Sequence, residues 1–207
     1  MTNLGRNGWT VAYNPGAYAE GQTVRNSMYK YLMENSAYTY GSTSYYNYGD
    51  TAGKTAADVD VIFLEGGWND YGWNIPLGTV DSETCDTLMG ARNLMIDQLL
   101  KLYPNATIVL VTTWHNSDQK TLNGETVKRI DYVSNSIKEA AATRYANNDR
   151  VVVLDMGDPT VSGAYMADAA WRAVYALDSV HLNEKGMQVV AENLPEEIAA
   201  LLFPDEE

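Results

Sequence analysis

The sequence is poor in residues that cross-link or ligate. A single cysteine, Cys85, occurs in 207 residues, which excludes an internal disulfide framework and a cysteine-based zinc site. Cys85 reads as a small buried hydrophobe or a free surface thiol. Only two histidines occur, His115 and His181. Far apart and among scattered carboxylates, they fit no standard metal-ligand spacing, so neither a metal nor another cofactor is expected. Basic residues are also scarce: 14 Lys and Arg stand against 27 Asp and Glu, for a net charge of −13. Such a surface repels polyanions and makes nucleic acid and anionic membranes poor partners. No apolar run approaches the roughly 20 residues that span a bilayer, so no membrane insertion is expected. Residues 1–10 lack the basic start and apolar stretch of a signal peptide. A cytoplasmic protein and a secreted or surface domain without its signal peptide both fit. Repeats, linkers and low-complexity blocks are missing too, apart from a tyrosine-rich bias over residues 29–48.

What is present reads as one domain over residues 1–207, long enough for a full core. Short apolar runs suggest strands at 9–13, 45–48, 59–64, 107–113 and 151–155. The last two carry Ile-Val-Leu-Val and Val-Val-Val-Leu, continuous runs that suit strands buried on both faces of a parallel sheet. Between them, apolar residues recur at helical spacing. Leu88, Ala91, Met95, Leu99 and Leu102 form one series. Val127, Ile130, Ile137 and Ala141 form another, with Ser134 as its polar exception. Met187, Val190, Leu194, Ile198 and Leu201 form a third, in which Pro195 should kink or restart the helix. Residues 22–34 form a weaker fourth. This alternation predicts βαβ units, in an α/β fold of three α/β/α layers around a five-stranded parallel sheet of flavodoxin-like type.

Ligands bind such folds at the carboxyl ends of the strands, so the residues there are the ones to inspect. Asp178 and His181 are the best chemical pair. Histidine suits proton transfer near neutral pH, and an aspartate three residues before it can hold the imidazole tautomer and stabilise the imidazolium. The alternative is that Asp178 caps a turn and His181 is a surface residue. Asn69 follows two glycines at a strand end, where its amide can be aimed at developing negative charge or can belong to a plain Asn-Asp turn. Gly53 either brings a backbone N–H close to a ligand or simply turns the chain.

Together these pieces resemble the SGNH/GDSL hydrolase family. Gly67-Trp68-Asn69-Asp70 looks like its Gly-x-Asn-Asp block. Asp178-Ser179-Val180-His181 looks like its Asp-x-x-His block, and the following Leu-Asn-Glu-Lys-Gly is also typical. Residues 47–55 resemble its glycine block, with Gly53 at the oxyanion glycine. The blocks occur in the family's order, over nearly the whole chain. The resemblance implies an ester hydrolase in which a serine after the first strand attacks the carbonyl. His181 shuttles the proton and Asp178 orients His181. The serine N–H, the Gly53 N–H and the Asn69 amide form the oxyanion hole.

The family's first block reads Gly-Asp-Ser-x-x-x-Gly. Here the matching run is Pro15-Gly16-Ala17-Tyr18-Ala19-Glu20-Gly21, which puts Ala17, or Gly16 on a shift of one, at the nucleophile position. Neither has a nucleophilic atom. Three readings fit: an engineered serine-to-alanine change at position 17, a natural pseudoenzyme that keeps the pocket and binds a glycan or other ligand, or a nucleophile elsewhere, with Thr51 and Ser27 as candidates. The expectation is therefore a serine-esterase scaffold that is inactive or nearly so as written. Aromatic residues in the loop 156–177 (Tyr165, Trp171, Tyr175), with Trp68 and Trp73, offer faces that stack on sugar rings or pack within the protein. The expected substrate is a carbohydrate ester, such as an acetylated glycan. Trp68, Asp70, His115 and Trp171 are the candidate substrate contacts.

Overall fold

The computed structural model describes residues 9–17, 27–34, 38–40, 43–45, 56–114, 118–122 and 124–204. In chain order the elements are α1 (Met28–Glu34), β1 (Tyr38–Tyr40), β2 (Thr43–Tyr45), β3 (Val61–Glu65), α2 (Trp68–Gly72), α3 (Leu88–Leu102), β4 (Thr107–Val111), β5 (Gln119–Leu122), β6 (Glu125–Lys128), α4 (Ser136–Ala142), β7 (Val151–Leu154), α5 (Pro159–Ser162), α6 (Ala169–Tyr175) and α7 (Glu184–Leu202). Short 3₁₀ turns cover Pro15–Ala17 and Ala56–Asp58, and a π-turn, Asp131–Asn135, leads into α4. No helix among the described residues is long and apolar enough to cross a membrane.

The chain groups into two compact units, Met1–Ile62 with Gly66–Ile108, and Phe63–Glu65 with Val109–Glu207. In the first, α3 packs against α1. The periodic residues Leu88, Ala91, Met95 and Leu99 are all buried there, as an amphipathic stripe requires. The Thr87 hydroxyl caps α3 by accepting from Gly90 N. The parallel strands run in the order β3-β4-β7, and in the second unit α4 and α7 pack on β7. Ile108, Val109 and Leu110 at the centre of β4 are buried completely.

The α/β fold with a parallel sheet is as expected, but the sheet has three strands among the described residues, not five. The expected strand at 9–13 is reduced to a single parallel bridge, Thr10 to Ser27. Its next two N–H groups are taken by a side-chain carboxylate instead of a neighbouring strand. Of the expected strand at 45–48, Tyr45 ends β2, which pairs antiparallel with β1. Residues 46–48 lie outside the described residues.

The helix read through Val127 begins later than its spacing implies. Val127 belongs to β6, which pairs with β5 as an antiparallel hairpin. Gly124 at the turn has φ +87, in the left-handed region that favours glycine. The loop expected at 156–177 contains two helices, each opened by an aspartate cap. Asp158 accepts from Thr160 N, with Pro159 behind it, and Asp168 accepts from Ala170 N. α7 runs through the exposed Pro195 as one helix. Residues 22–26 of the fourth expected helix lie outside the described residues, and α1 supplies the remainder.

Candidate active site

The second unit carries the Asp178–His181 pair. α6 ends at Tyr175, and the chain doubles back through an antiparallel bridge between Ala176 and Leu182. The loop is closed by Leu177 N donating to His181 O at 2.7 Å and Asn183 N donating to Tyr175 O at 3.0 Å. Within it, Asp178 Oδ1 accepts from Val180 N and His181 N, both at 2.7 Å. That leaves Oδ2 for His181 Nδ1, 2.8 Å away. An ionised carboxylate can only accept, so Nδ1 carries the hydrogen and Nε2 is left as the base. Hydrogen bonds from the His181 side chain first, then from the His181 and Val180 backbone, hold the Asp178 carboxyl down from 3.8 to about 2. The aspartate is thus ionised wherever the imidazole is needed. Both side chains face solvent, at 54% exposure for Asp178 and 69% for His181.

Three residues to which the sequence reading assigned no role fix this loop. The Trp114 indole N–H donates to Val180 O at 3.1 Å. Asn183 works at both ends of its amide: Nδ2 donates to Val174 O at 2.9 Å, and Oδ1 caps α7 by accepting from Gly186 N at 3.1 Å. Gly186 packs so close to the Tyr175 carbonyl that any Cβ there would collide with it. The Asn three residues before a Gly, at the head of an apolar helix, was the available sequence signal.

The first unit carries the Gly-Gly-Trp-Asn-Asp block. Gly67, with φ +120, is the N-cap of α2. A Cβ on Gly66 would lie 2.7 Å from Val11 Cγ2, so the pair of glycines lets α2 start hard against residues 9–12. Asn69 Nδ2 donates to Trp9 O at 2.8 Å, which orients the amide while using one of its two hydrogens. Asp70 has no exposed surface. Its Oδ2 accepts from Val11 N at 2.7 Å and its Oδ1 from Ala12 N at 2.9 Å. A substrate contact was expected of Asp70, but both oxygens are spent inside the protein. Burial pushes this carboxyl up to about 6, against the pull of those two N–H groups and of the Arg92 guanidinium.

The run held by this block ends in the 3₁₀ turn Pro15–Ala17. Farther along it, Tyr13 N donates to Cys85 O at 2.7 Å and Asn14 Nδ2 to Asp86 O at 2.7 Å. Ser27, considered as an alternative nucleophile, is buried and accepts from Lys30 N at 3.0 Å at the start of α1. Gly53, Thr51 and His115 lie outside the described residues. Trp171 stacks on Tyr175 with ring centroids 4.8 Å apart, so one of its faces is already covered. Trp68 is half-buried on α2. Beyond β7, a cavity of about 400 Å³ is lined by residues that include Lys138, Asp155, Tyr165, Met166 and Asp168.

A parallel sheet with helices packed on it defines the class: an α/β protein, here one that holds a histidine against an aspartate. The GDSL-like lipase/acylhydrolase family matches the sequence over residues 2–189, and the chain belongs to that family. No curated protein matches the chain significantly. Among solved structures, a Lactobacillus plantarum protein is similar at 26% identity and TM-score 0.57, covering 69% of this chain and 68% of its own. A second is 23% identical with TM-score 0.60, covering 96% of this chain and 76% of its own. These likenesses show the fold.

Proposed function

We propose that this chain is an SGNH-type ester-hydrolase scaffold whose nucleophile position is residue 17, so that as written it binds an ester ligand without turning it over. Asp178 and His181 are the acid–base pair, and Gly53 and Asn69 are oxyanion donors. The observation that carries the reading is the 2.8 Å bond from His181 Nδ1 to a carboxylate that two backbone N–H groups already fix. That arrangement leaves Nε2 as the proton acceptor.

With a serine at position 17 the reaction is complete. The hydroxyl oxygen bonds to the ester carbonyl carbon as its proton passes to His181 Nε2. The intermediate collapses, the C–O bond to the alcohol breaks, and that proton leaves with the alcohol. Water then hydrolyses the acyl-serine by the same route. Alanine removes the attacking oxygen and leaves the rest in place. For the substrate we favour a carbohydrate ester, because the half-exposed Tyr165 ring, the Lys138–Asp155 ion pair and Asp168 border one cavity. A glycan-binding pseudoenzyme is the same scaffold with residue 17 as found.

The test is p-nitrophenyl acetate turnover. The unmodified chain is expected to be silent, Ala17→Ser to be active, and the double variant Ala17→Ser/His181→Ala to be silent again. Activity in Ala17→Ser that survives loss of His181, or none at all in a folded Ala17→Ser protein, overturns the assignment.

A further inference from the structure

Asp70 presents an anomaly: a carboxylate with no exposed surface, adjacent to the proposed oxyanion donor, whose oxygens both accept from backbone N–H groups. Its two oxygens are divided between the N–H groups of consecutive residues, Val11 and Ala12, at 2.7 and 2.9 Å. The neighbouring Asn69 amide grips the same run at Trp9 O. The charged side chain acting on Asp70 is Arg92, on α3, which also reaches Gly66 O at 3.4 Å. A run of 9–12 built as a central strand would satisfy its N–H groups from a neighbouring strand. Here one buried side chain does so, five residues before position 17.

We propose that Asp70 is a positioning residue: its buried carboxylate locks the run 9–12 and so sets where the Pro15–Ala17 turn presents residue 17, in register with the Asn69 amide. This rests on the reading of residue 17 as the nucleophile position. The geometry favours a carboxylate over an amide. Asparagine at position 70 offers one acceptor, and its NH₂ would face a backbone N–H, leaving a buried donor unmet.

Two measurements test it. In the unmodified chain, Asp70→Asn is expected to lower amide hydrogen-exchange protection at Val11 and Ala12 by at least about tenfold, with the α3 amides of Met95 and Ile96 unchanged. The backbone order parameter of Ala17 should fall by about 0.2. If Asp70→Asn does not fold, the unmodified chain carries the test: titration through about pH 6 is expected to move the Val11 and Ala12 amide-proton resonances upfield as their acceptor loses its charge, with those of Met95 and Ile96 unmoved, and unmoved Val11 and Ala12 resonances overturn the proposal. In Ala17→Ser, Asp70→Asn is expected to reduce kcat for p-nitrophenyl acetate by at least about tenfold while KM stays within about twofold. Unchanged protection and an unchanged Ala17 order parameter overturn the proposal, as does an unchanged kcat once the amides have loosened. An Ala17→Ser protein that is inactive, while Ala17 order in the unmodified chain still depends on Asp70, sinks the esterase reading and leaves the clamp standing.

Discussion

The Asp178 carboxyl is exposed to water, and yet three hydrogen bonds converge on it from a span of four residues. Water screens such a group, so its value lies in orientation more than in stability. Its carboxyl carbon is expected to titrate near pH 2, below the ordinary 3.8, and His181→Ala should move that midpoint upward, both read by ¹³C NMR. Asp178→Asn keeps the size and reverses the hydrogen-bond polarity, which favours the wrong imidazole tautomer. In the Ala17→Ser background it is expected to lower kcat by about 10⁴-fold, the scale seen when a triad aspartate is amidated. A drop of less than tenfold would mean that the imidazole is held by something else.

At the scale of elements, the turn between α6 and α7 is the part of the molecule built most tightly around the pair. Gly186→Ala forces a methyl group onto the Tyr175 carbonyl and is expected to cost about 1–3 kcal/mol in urea unfolding. Asn183→Ala removes a helix cap and a tether together, with an expected loss of about 1–2 kcal/mol.

The elements also show what the sequence can and cannot reveal. α3 was legible to its ends because four of its periodic residues pack on one side of a helix with a threonine cap. The series from Val127 misled because Asn123-Gly124 is a hairpin signal that outranks spacing. Its polar exception, Ser134, proves to be buried. Its hydroxyl accepts from Thr113 N and donates to Thr113 O, both at 3.2 Å, a long-range pairing that periodicity does not register. The run 9–13 looked like a strand because its residues are apolar. The partner of its Val11 and Ala12 N–H groups is Asp70, 59 and 58 positions away.

For the molecule as a whole, the buried charge of Asp70 makes a definite prediction about pH. Its folded pKa, about 6, lies above the ordinary 3.8. The folded protein therefore keeps this proton through a window in which the unfolded chain releases it, and the group's contribution to stability falls as pH rises from about 4 to about 6. The size is about 3 kcal/mol, from roughly two pKa units at 1.36 kcal/mol each. Subtracting the Asp70→Asn curve isolates it from the other carboxylates. A difference in unfolding free energy that is flat between pH 4 and 7 would contradict it.

The hydrogen-bonded pairing of Asp178 with His181 was readable because it is local and its geometry closes within four residues. Asp70 was read as a substrate contact, because nothing in the sequence tells a buried carboxylate from an exposed one.

The most direct measurement is covalent labelling with a fluorophosphonate ester, which reacts with a serine only when a neighbouring base activates it. Mass spectrometry of Ala17→Ser is expected to find one adduct per chain, on residue 17, absent from the unmodified chain and from Ala17→Ser/His181→Ala. An adduct on any other residue, or labelling of residue 17 that does not need the imidazole, would contradict the account.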